Sequence, residues 1–297
     1  MDKNESISKF IIFLKNEPLI EVGESINGIS EVLLQKDKRT IFYGTGLCTP
    51  TNISIGLPFD VLGMIFIAER IRKTFKFNEV VHHIADTHAK SNNLFSDEEI
   101  ENLAKKTKAD LAKIFRNFGL NNFEVNLASD FDRTSKYKDL LNQIPKTENE
   151  YVRREIADIR WFSIKHNVNL KLGWLINTGS DLQQGSDEML FDGNFSKLFP
   201  NSMSFIYLKP GRTFDRARQR VSPYIFLKGE NRIMLRKGED VKEKFRLAEI
   251  EWGDKFFGGA RKHLENIVHV YEKLFGNMTG IPLEEKIQQI LDKATAE

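Results

Sequence analysis

Three polar turns hold the residues whose types and spacing could support chemistry, and each follows an apolar segment of strand character. The first turn, residues 44–58, is rich in glycine, threonine and proline. Small residues let backbone amides approach an anion at the N-terminus of a following helix, so this turn is a candidate phosphate site. It lacks the Gly-Lys-Ser/Thr ending of a Walker loop, and its glycine spacing does not match the dinucleotide fingerprint. A plain strand-to-helix connection is the alternative.

The second turn, residues 86–95, places Asp86 and His88 directly after a segment predicted to be a buried strand. Ligands of parallel α/β sheets bind beyond the carboxyl ends of the strands, so both side chains are candidates for a pocket floor. His82 and His83 fall within the strand itself. No carboxylates stand at metal-ligand spacing from these histidines, so no structural metal is predicted. The third turn, residues 128–135, follows the next strand.

Apolar spacing predicts the elements that position these turns. In chain order they are an amphipathic helix near 6–15, a strand at 39–44, a helix with Val61, Met64, Ile65, Ala68, Ile71 and Phe75 on one face, a strand at 79–86, a helix begun by a Ser96 and Glu99 capping box, and a strand at 123–130. Residues 135–166 are mostly helical in pattern, residues 205–208 form a strand, and two or three helices follow Val241. Short connections between alternating strands and helices predict an α/β fold with a right-handed parallel sheet.

Composition sets broad limits on the function. The 297 residues are 40% hydrophobic and 29% charged, which predicts a soluble globular protein of one large unit or two smaller ones. A net charge of +2 indicates neither a nucleic-acid coat nor a trap for acidic substrates. The single cysteine, Cys48, excludes an intramolecular disulfide. With neither a secretory signal nor a membrane-length apolar run in the sequence, we expect a cytoplasmic location and no membrane partner.

Several sequence motifs, taken in their order along the chain, resemble those of a known protein family. The run YGTGLCTPTNISIGLPFDVL is followed about 30 residues later by an Ala-Asp-Thr-His-Ala segment at 85–89, then by GSDLQQGSDEMLFD at 179–192 and by Arg-Val-Ser-Pro-Tyr at 220–224. This order resembles class I aminoacyl-tRNA synthetases of the tyrosyl and tryptophanyl branch over roughly residues 39–236. The resemblance implies a Rossmann-like catalytic domain at 39–236 with a helical insertion near 135–200. A helical extension at 1–38 and a small helical region at 237–297 would flank it.

The resemblance also implies roles for single residues, together with ATP and Mg²⁺ as ligands and an amino acid as substrate. The expected catalytic residues are Ser54, Arg220 and Ser222. The expected nucleotide-binding residues are Gly44, Thr45, Pro50, Thr51, Gly56, Gly185 and Arg218. The expected substrate-binding residues are Asp86, His88, Trp174, Asp181, Gln184 and Glu188.

Departures from the family pattern predict altered activation chemistry. Ser54 and Leu57 stand where the family has two phosphate-stabilising histidines, and Arg220 stands for a lysine. Tyrosyl enzymes carry Tyr-x-x-x-Gln and an Asp on the helix before the 179–192 segment. The stretch KLGWLINTGSD, residues 171–181, lacks that pattern, so tyrosine is not the expected substrate.

Residues 209–246 form a basic segment with twelve basic and five acidic side chains, a net charge of +7. Its closely spaced arginines could hold a triphosphate or an RNA backbone, so tRNA or aminoacyl-tRNA is an expected partner. A solvated charged face is the alternative. The C-terminal helices could build a homodimer.

Two further functions stay open at the level of sequence. One is a non-catalytic paralogue that binds tRNA or a synthetase partner through the basic segment. The other is a tRNA-dependent amide-bond-forming enzyme similar to cyclodipeptide synthases. A Tyr-x-x-x-Glu pattern at Tyr151 and Glu155 favours the latter, with Thr45 or Ser54 as the nearest counterpart of their nucleophilic serine.

Overall fold

A computed structural model describes residues 3–21, 33, 38–46, 59–87, 89, 96–144, 150–174, 204–208, 213–215, 220–222, 240–253 and 261–297. Its strands are β1 Ile20–Glu21, β2 Thr40–Gly46, β3 Glu79–Ala85, β4 Phe123–Leu127, β5 Val168–Trp174, β6 Ser204–Leu208, β7 Thr213–Asp215 and β8 Arg220–Ser222. Its helices are α1 Lys3–Asn16, α2 Asp60–Phe75, α3 Asp97–Asn117, α4 Ser135–Asn142, α5 Glu150–His166, α6 Val241–Trp252, α7 Arg261–Phe275 and α8 Leu283–Thr295.

Strands β1 to β6 form one sheet in the order β1-β6-β5-β2-β3-β4. Strands β6, β5, β2, β3 and β4 run parallel, and short β1 pairs antiparallel with β6 at the edge. Strands β7 and β8 form a separate antiparallel pair. The predicted α/β class with a parallel Rossmann-like sheet is therefore confirmed.

Strand β5, which the sequence pattern does not reveal, lies directly beside β2 in the centre of the sheet. The comparison of residues 171–181 with a family helix is thus wrong for residues 171–174, which are strand. Asn167 takes a left-handed backbone with φ of 52°, so α5 ends and β5 begins with one residue between them. The helix that precedes β5 is α5.

The two faces of the sheet carry different helices. Ile41, Tyr43, Val80, Ile84 and Leu172 belong to the first core, together with residues of α1, α2, α3, α6, α7 and α8. We call this side the first face. Phe42 and Val81 point the other way, into a smaller core with α4 and α5, because side chains alternate along a strand. We call that side the second face.

Local predictions for the helices are confirmed. Ser96 and Glu99 form the reciprocal capping box at the start of α3. Val61, Met64, Ile65, Ala68 and Ile71 are buried along α2. Three helices follow residue 240 in the part of the chain that the structure describes, and none of the described helices is long and apolar enough to cross a membrane.

Candidate functional site

Small residues lie side by side on the second face where the central strands end. Gly44 and Gly46 point to this face because they alternate with Tyr43 and Thr45, and both are exposed although β2 is central. Gly44 stands opposite His83, and Gly46 stands opposite Ala85. On β5, Gly173 follows Lys171 on the same face. We call these four residues, Gly44, Gly46, Ala85 and Gly173, the glycine hollow; Gly44 and Gly46 are exposed, whereas Ala85 and Gly173 are buried. They lie at the strand ends where ligands of parallel sheets bind.

A Cβ could be added at Gly44 without a clash among the described residues. A Cβ built on Gly44 would lie 3.6 Å from the His83 carbonyl oxygen and 3.9 Å from His83 Cδ2, both ordinary contact distances. An alanine at this position would therefore fit against His83. Among the residues that the structure describes, nothing requires a glycine at residue 44 on steric grounds.

A buried chain of hydrogen bonds forms one wall of the glycine hollow. The Tyr137 hydroxyl donates to Asp158 Oδ1 over 2.6 Å, and His83 Nε2 donates to Asp158 Oδ2 over 2.8 Å. Burial raises the pKa of Tyr137, and the neighbouring Asp158 adds to the rise, so the phenol stays a donor. His83 Nδ1 is buried and has no partner among the described residues. These hydrogen bonds fix the His83 imidazole near the carboxyl ends of the strands.

Further carboxylates surround this wall. Asp86 is buried and accepts the Ser129 backbone N–H over 3.1 Å. Burial raises the pKa of Asp132; nearby Arg154 opposes the rise, and Asp86 adds to it. Asp132 Oδ1 is buried without a hydrogen-bond partner in the described part of the chain. The carboxylates of Asp86, Asp132 and Asp158 therefore lie close enough to influence one another.

The opposite wall contains a buried ion pair between Lys171 Nζ and Glu155 Oε1, 2.7 Å apart. Lys171 is buried and belongs to the second face of β5, two residues before Gly173. The ion pair thus stands beside the glycine hollow.

On the first face, three polar side chains connect β2 and β3. His82 Nδ1 lies 3.0 Å from the Tyr43 hydroxyl oxygen, and His82 Nε2 lies 2.8 Å from Thr45 Oγ1. Tyr43 and His82 are fully buried, whereas Thr45 is half-buried at the end of β2. A polar network from the core therefore ends at the same edge as the glycine hollow.

The structure brings together only some of the residues predicted from sequence. Gly44, Thr45 and Asp86 lie at the carboxyl edge of the sheet, and the backbone of Trp174 ends β5 there. Arg220 and Ser222 lie in β8, where their backbones pair with β7. The remaining predicted residues lie outside the described residues: Ser54, Pro50, Thr51, Gly56, His88, Asp181, Gln184, Gly185, Glu188 and Arg218.

The sequence did not predict several side chains of the site, among them His83, Tyr137, Asp158 and Lys171. One signal could have found Asp158. The tyrosyl pattern of Tyr-x-x-x-Gln and an Asp is met on α5 by Tyr151, Glu155 and Asp158, with Glu in place of Gln. No local pattern marks the other three, because their partners lie 16 to 75 residues away.

Comparison with solved structures identifies the fold that contains this site. No family model matches the chain, and no curated protein matches its sequence. Tyrosyl-tRNA synthetase from Archaeoglobus fulgidus, solved with L-tyrosine, superposes over 99% of this chain and 98% of its own with a TM-score of 0.58 at 17% identity. The tyrosyl enzyme from Aeropyrum pernix gives 0.62 at 13% identity over 99% and 93%. The chain has the tyrosyl- and tryptophanyl-tRNA synthetase fold.

Tryptophanyl-tRNA synthetase from Plasmodium falciparum extends the similarity to the second branch, with a TM-score of 0.56 at 14% identity over 99% of this chain and 88% of its own. The resemblance inferred from motif order is thus confirmed at the level of fold. In this synthetase fold, the glycine hollow and both polar networks stand at the carboxyl ends of the central parallel strands.

Proposed function

We propose that this chain is a class I synthetase-like protein that binds a nucleotide, an aminoacyl-adenylate or the aminoacylated end of tRNA, with altered activation chemistry. The observation that carries the proposal is the glycine hollow. Small residues at the ends of three adjacent strands, with exposed glycines on β2 and buried charged groups nearby, suit a small polar ligand. The synthetase fold supports the nucleotide and amino-acid classes over others.

Charge at the glycine hollow favours an amino group on the ligand. Four carboxylates, those of Asp86, Asp132, Glu155 and Asp158, stand against three cationic side chains, Lys171, Arg133 and Arg154. An ammonium group would reduce this excess of negative charge. An amino acid, free or as its adenylate, carries such a group, and we assign this part of the ligand to the second face.

The nucleotide is assigned to the turn after β2. Gly44, Thr45 and Gly46 begin that turn, and the absence of a side chain at Gly44 leaves space that a Cβ would occupy. Ser54, Gly56, Arg218 and Arg220 are proposed to contact phosphate, and Mg²⁺ would accompany the phosphates. Bound ATP would supply the activating group for a carboxylate.

Altered activation follows from Leu57, which can donate no side-chain hydrogen bond to a phosphate. Loss of one such donor typically lowers the rate about 100- to 1000-fold. We therefore expect slow amino-acid-dependent pyrophosphate exchange, or none, despite ligand binding. The basic segment 209–246 is proposed to contact tRNA, and its affinity should fall steeply with salt.

Calorimetric titration with ATP, with each amino acid and with non-hydrolysable adenylate analogues tests the proposal. Gly44→Ala and Gly44→Val should weaken binding in that order, because each added methyl group fills more of the hollow. Lys105→Ala, on the exposed surface of α3, is the control and should bind as the wild type does.

Two outcomes would count against the proposal. Absence of binding to every small ligand, with tRNA still bound, would indicate the non-catalytic paralogue instead. Equal binding by the wild type and Gly44→Val, with both folded by circular dichroism, would show that the ligand lies elsewhere.

A further inference from the structure

The hydrogen-bond network on the first face has a direction that its buried groups determine. The Tyr43 side chain is fully buried, and its hydroxyl has one hydrogen-bond partner among the described residues, His82 Nδ1 at 3.0 Å. Burial raises the pKa of Tyr43 well above 10, so the hydroxyl keeps its hydrogen. A buried donor left without an acceptor is costly, so Tyr43 must donate to His82 Nδ1.

This assignment determines the tautomer of His82. Burial lowers the pKa of His82 from 6.5 to about 3, and the adjacent His83 adds to the decrease, so the imidazole is neutral near pH 7. A neutral imidazole carries one N–H. Because Nδ1 accepts from Tyr43, the hydrogen lies on Nε2 and is donated to Thr45 Oγ1 over 2.8 Å.

The Thr45 hydroxyl is the outer end of the network. Its oxygen accepts from His82, so its own hydrogen is available to donate to another group. Thr45 is half-buried at the carboxyl edge of β2, between Gly44 and Gly46, and points to the first face. If Thr45 instead donated to His82 Nε2, the imidazole hydrogen would lie on Nδ1. That hydrogen and the Tyr43 hydroxyl hydrogen would then both lie between Nδ1 and the Tyr43 oxygen.

We infer that Tyr43 and His82 are positioning residues that set the Thr45 hydroxyl as a hydrogen-bond donor to an anionic oxygen of the ligand. This inference rests on the proposed function, which supplies two such oxygens, those of a phosphate and of an amino-acid carboxylate. Both are acceptors only, so a fixed donor favours them over a ligand group that must itself donate. We refer to Tyr43, His82 and Thr45 as the relay.

The first experiment reads the direction of the relay without any ligand. In protein labelled with ¹⁵N-histidine, two-bond nitrogen–proton spectra distinguish the Nε2–H from the Nδ1–H tautomer. We expect His82 to be Nε2–H in the wild type and to lose this single tautomer in Tyr43→Phe. A wild-type His82 that is Nδ1–H, or doubly protonated at pH 7, would overturn the relay.

The second experiment reads the donor at the outer end. Thr45→Val has nearly the same shape without the hydroxyl, and Thr45→Ser keeps the hydroxyl as the matched control. We expect Thr45→Val to weaken binding about tenfold, Tyr43→Phe to weaken it several-fold and Thr45→Ser to retain most of it. Titrations with pyrophosphate and ATP test the phosphate, and titrations with an amino acid and its decarboxylated amine test the carboxylate.

The combined results separate the two hypotheses. Weaker phosphate binding with unchanged amino-acid binding assigns Thr45 to phosphate, and the reverse assigns it to the carboxylate. Unchanged affinity for both ligands in Thr45→Val overturns the donor role even if the tautomer is as expected. A wild type that binds neither ligand refutes the proposed function and the donor role together, whereas the nitrogen spectra still report on the tautomer.

Discussion

The buried ion pair between Lys171 and Glu155 leads to a prediction in which stability and binding change in different ways. Side-chain exposure is 4% for Lys171 and 18% for Glu155. Replacing Glu155 with Leu leaves the Lys171 ammonium buried without the carboxylate that lies 2.7 Å away. Breaking such a pair costs about 3–5 kcal/mol, and the partial exposure of Glu155 favours the lower value.

At about 3 kcal/mol, Glu155→Leu should lower the melting temperature by roughly 5–10 °C for a chain of this size. Lys171→Met should have a similar effect. The double variant Lys171→Met with Glu155→Leu buries no charge at these positions, and we expect its stability to be within about 1 kcal/mol of the wild type. Urea unfolding of the four proteins gives the double-mutant cycle.

Ligand titration of the same four proteins completes the test. If the pair serves the glycine hollow, the double variant should fold as the wild type does and bind the amino-acid ligand at least tenfold more weakly. A single variant that loses less than 1 kcal/mol would refute the reasoning, because the charges would then be adequately solvated. A stable double variant with wild-type binding would refute the functional role of the pair.

Three further predictions concern the scaffold. Gly63→Ala places a Cβ 2.9 Å from Ile267 Cγ1 between α2 and α7, so it should lower the free energy of unfolding by about 1–3 kcal/mol, and Ile267→Ala in the same chain should relieve part of that loss. Ser96→Ala removes the capping box of α3 and should cost about 1 kcal/mol by urea unfolding, whereas Ser96→Asn, which keeps a capping oxygen, should cost less. Burial lowers the pKa of His82 from 6.5 to about 3 in the folded protein. Below pH 6.5 the unfolded chain therefore binds a proton at His82 that the folded chain does not bind. The free energy of unfolding should fall by about 1 kcal/mol per pH unit in this range. Unfolding of His82→Gln between pH 4 and 7 should show a shallower loss, and an unchanged slope would contradict the burial of a neutral imidazole.

Helices were predictable because their signals are local. The Ser96 and Glu99 capping box and the apolar face of α2 depend on residues three and four positions apart. Gly276 and Gly280 have positive φ and Pro282 caps α8, and the sequence places all three between the last two helices. The parallel sheet followed from the short connections between such elements.

Strand β5 was not predictable in this way because its polar residues are satisfied by distant partners. Asn169 accepts the Thr40 backbone N–H over 3.0 Å from 129 residues away, and Lys171 pairs with Glu155 on α5. In isolation an asparagine and a lysine interrupt an apolar run. In the folded chain they are buried and bonded.

The candidate site likewise combines features that the sequence reveals with features that only the tertiary structure reveals. The amino-acid sequence by itself determined that a glycine-rich turn and Asp86 stand at strand ends, because strand ends and glycines are local features. Only the tertiary structure decided that Gly44, Gly46 and Gly173 share one face and that His83 meets Asp158. Register between parallel strands sets which side chains meet, and register is a property of pairs of segments far apart in the chain.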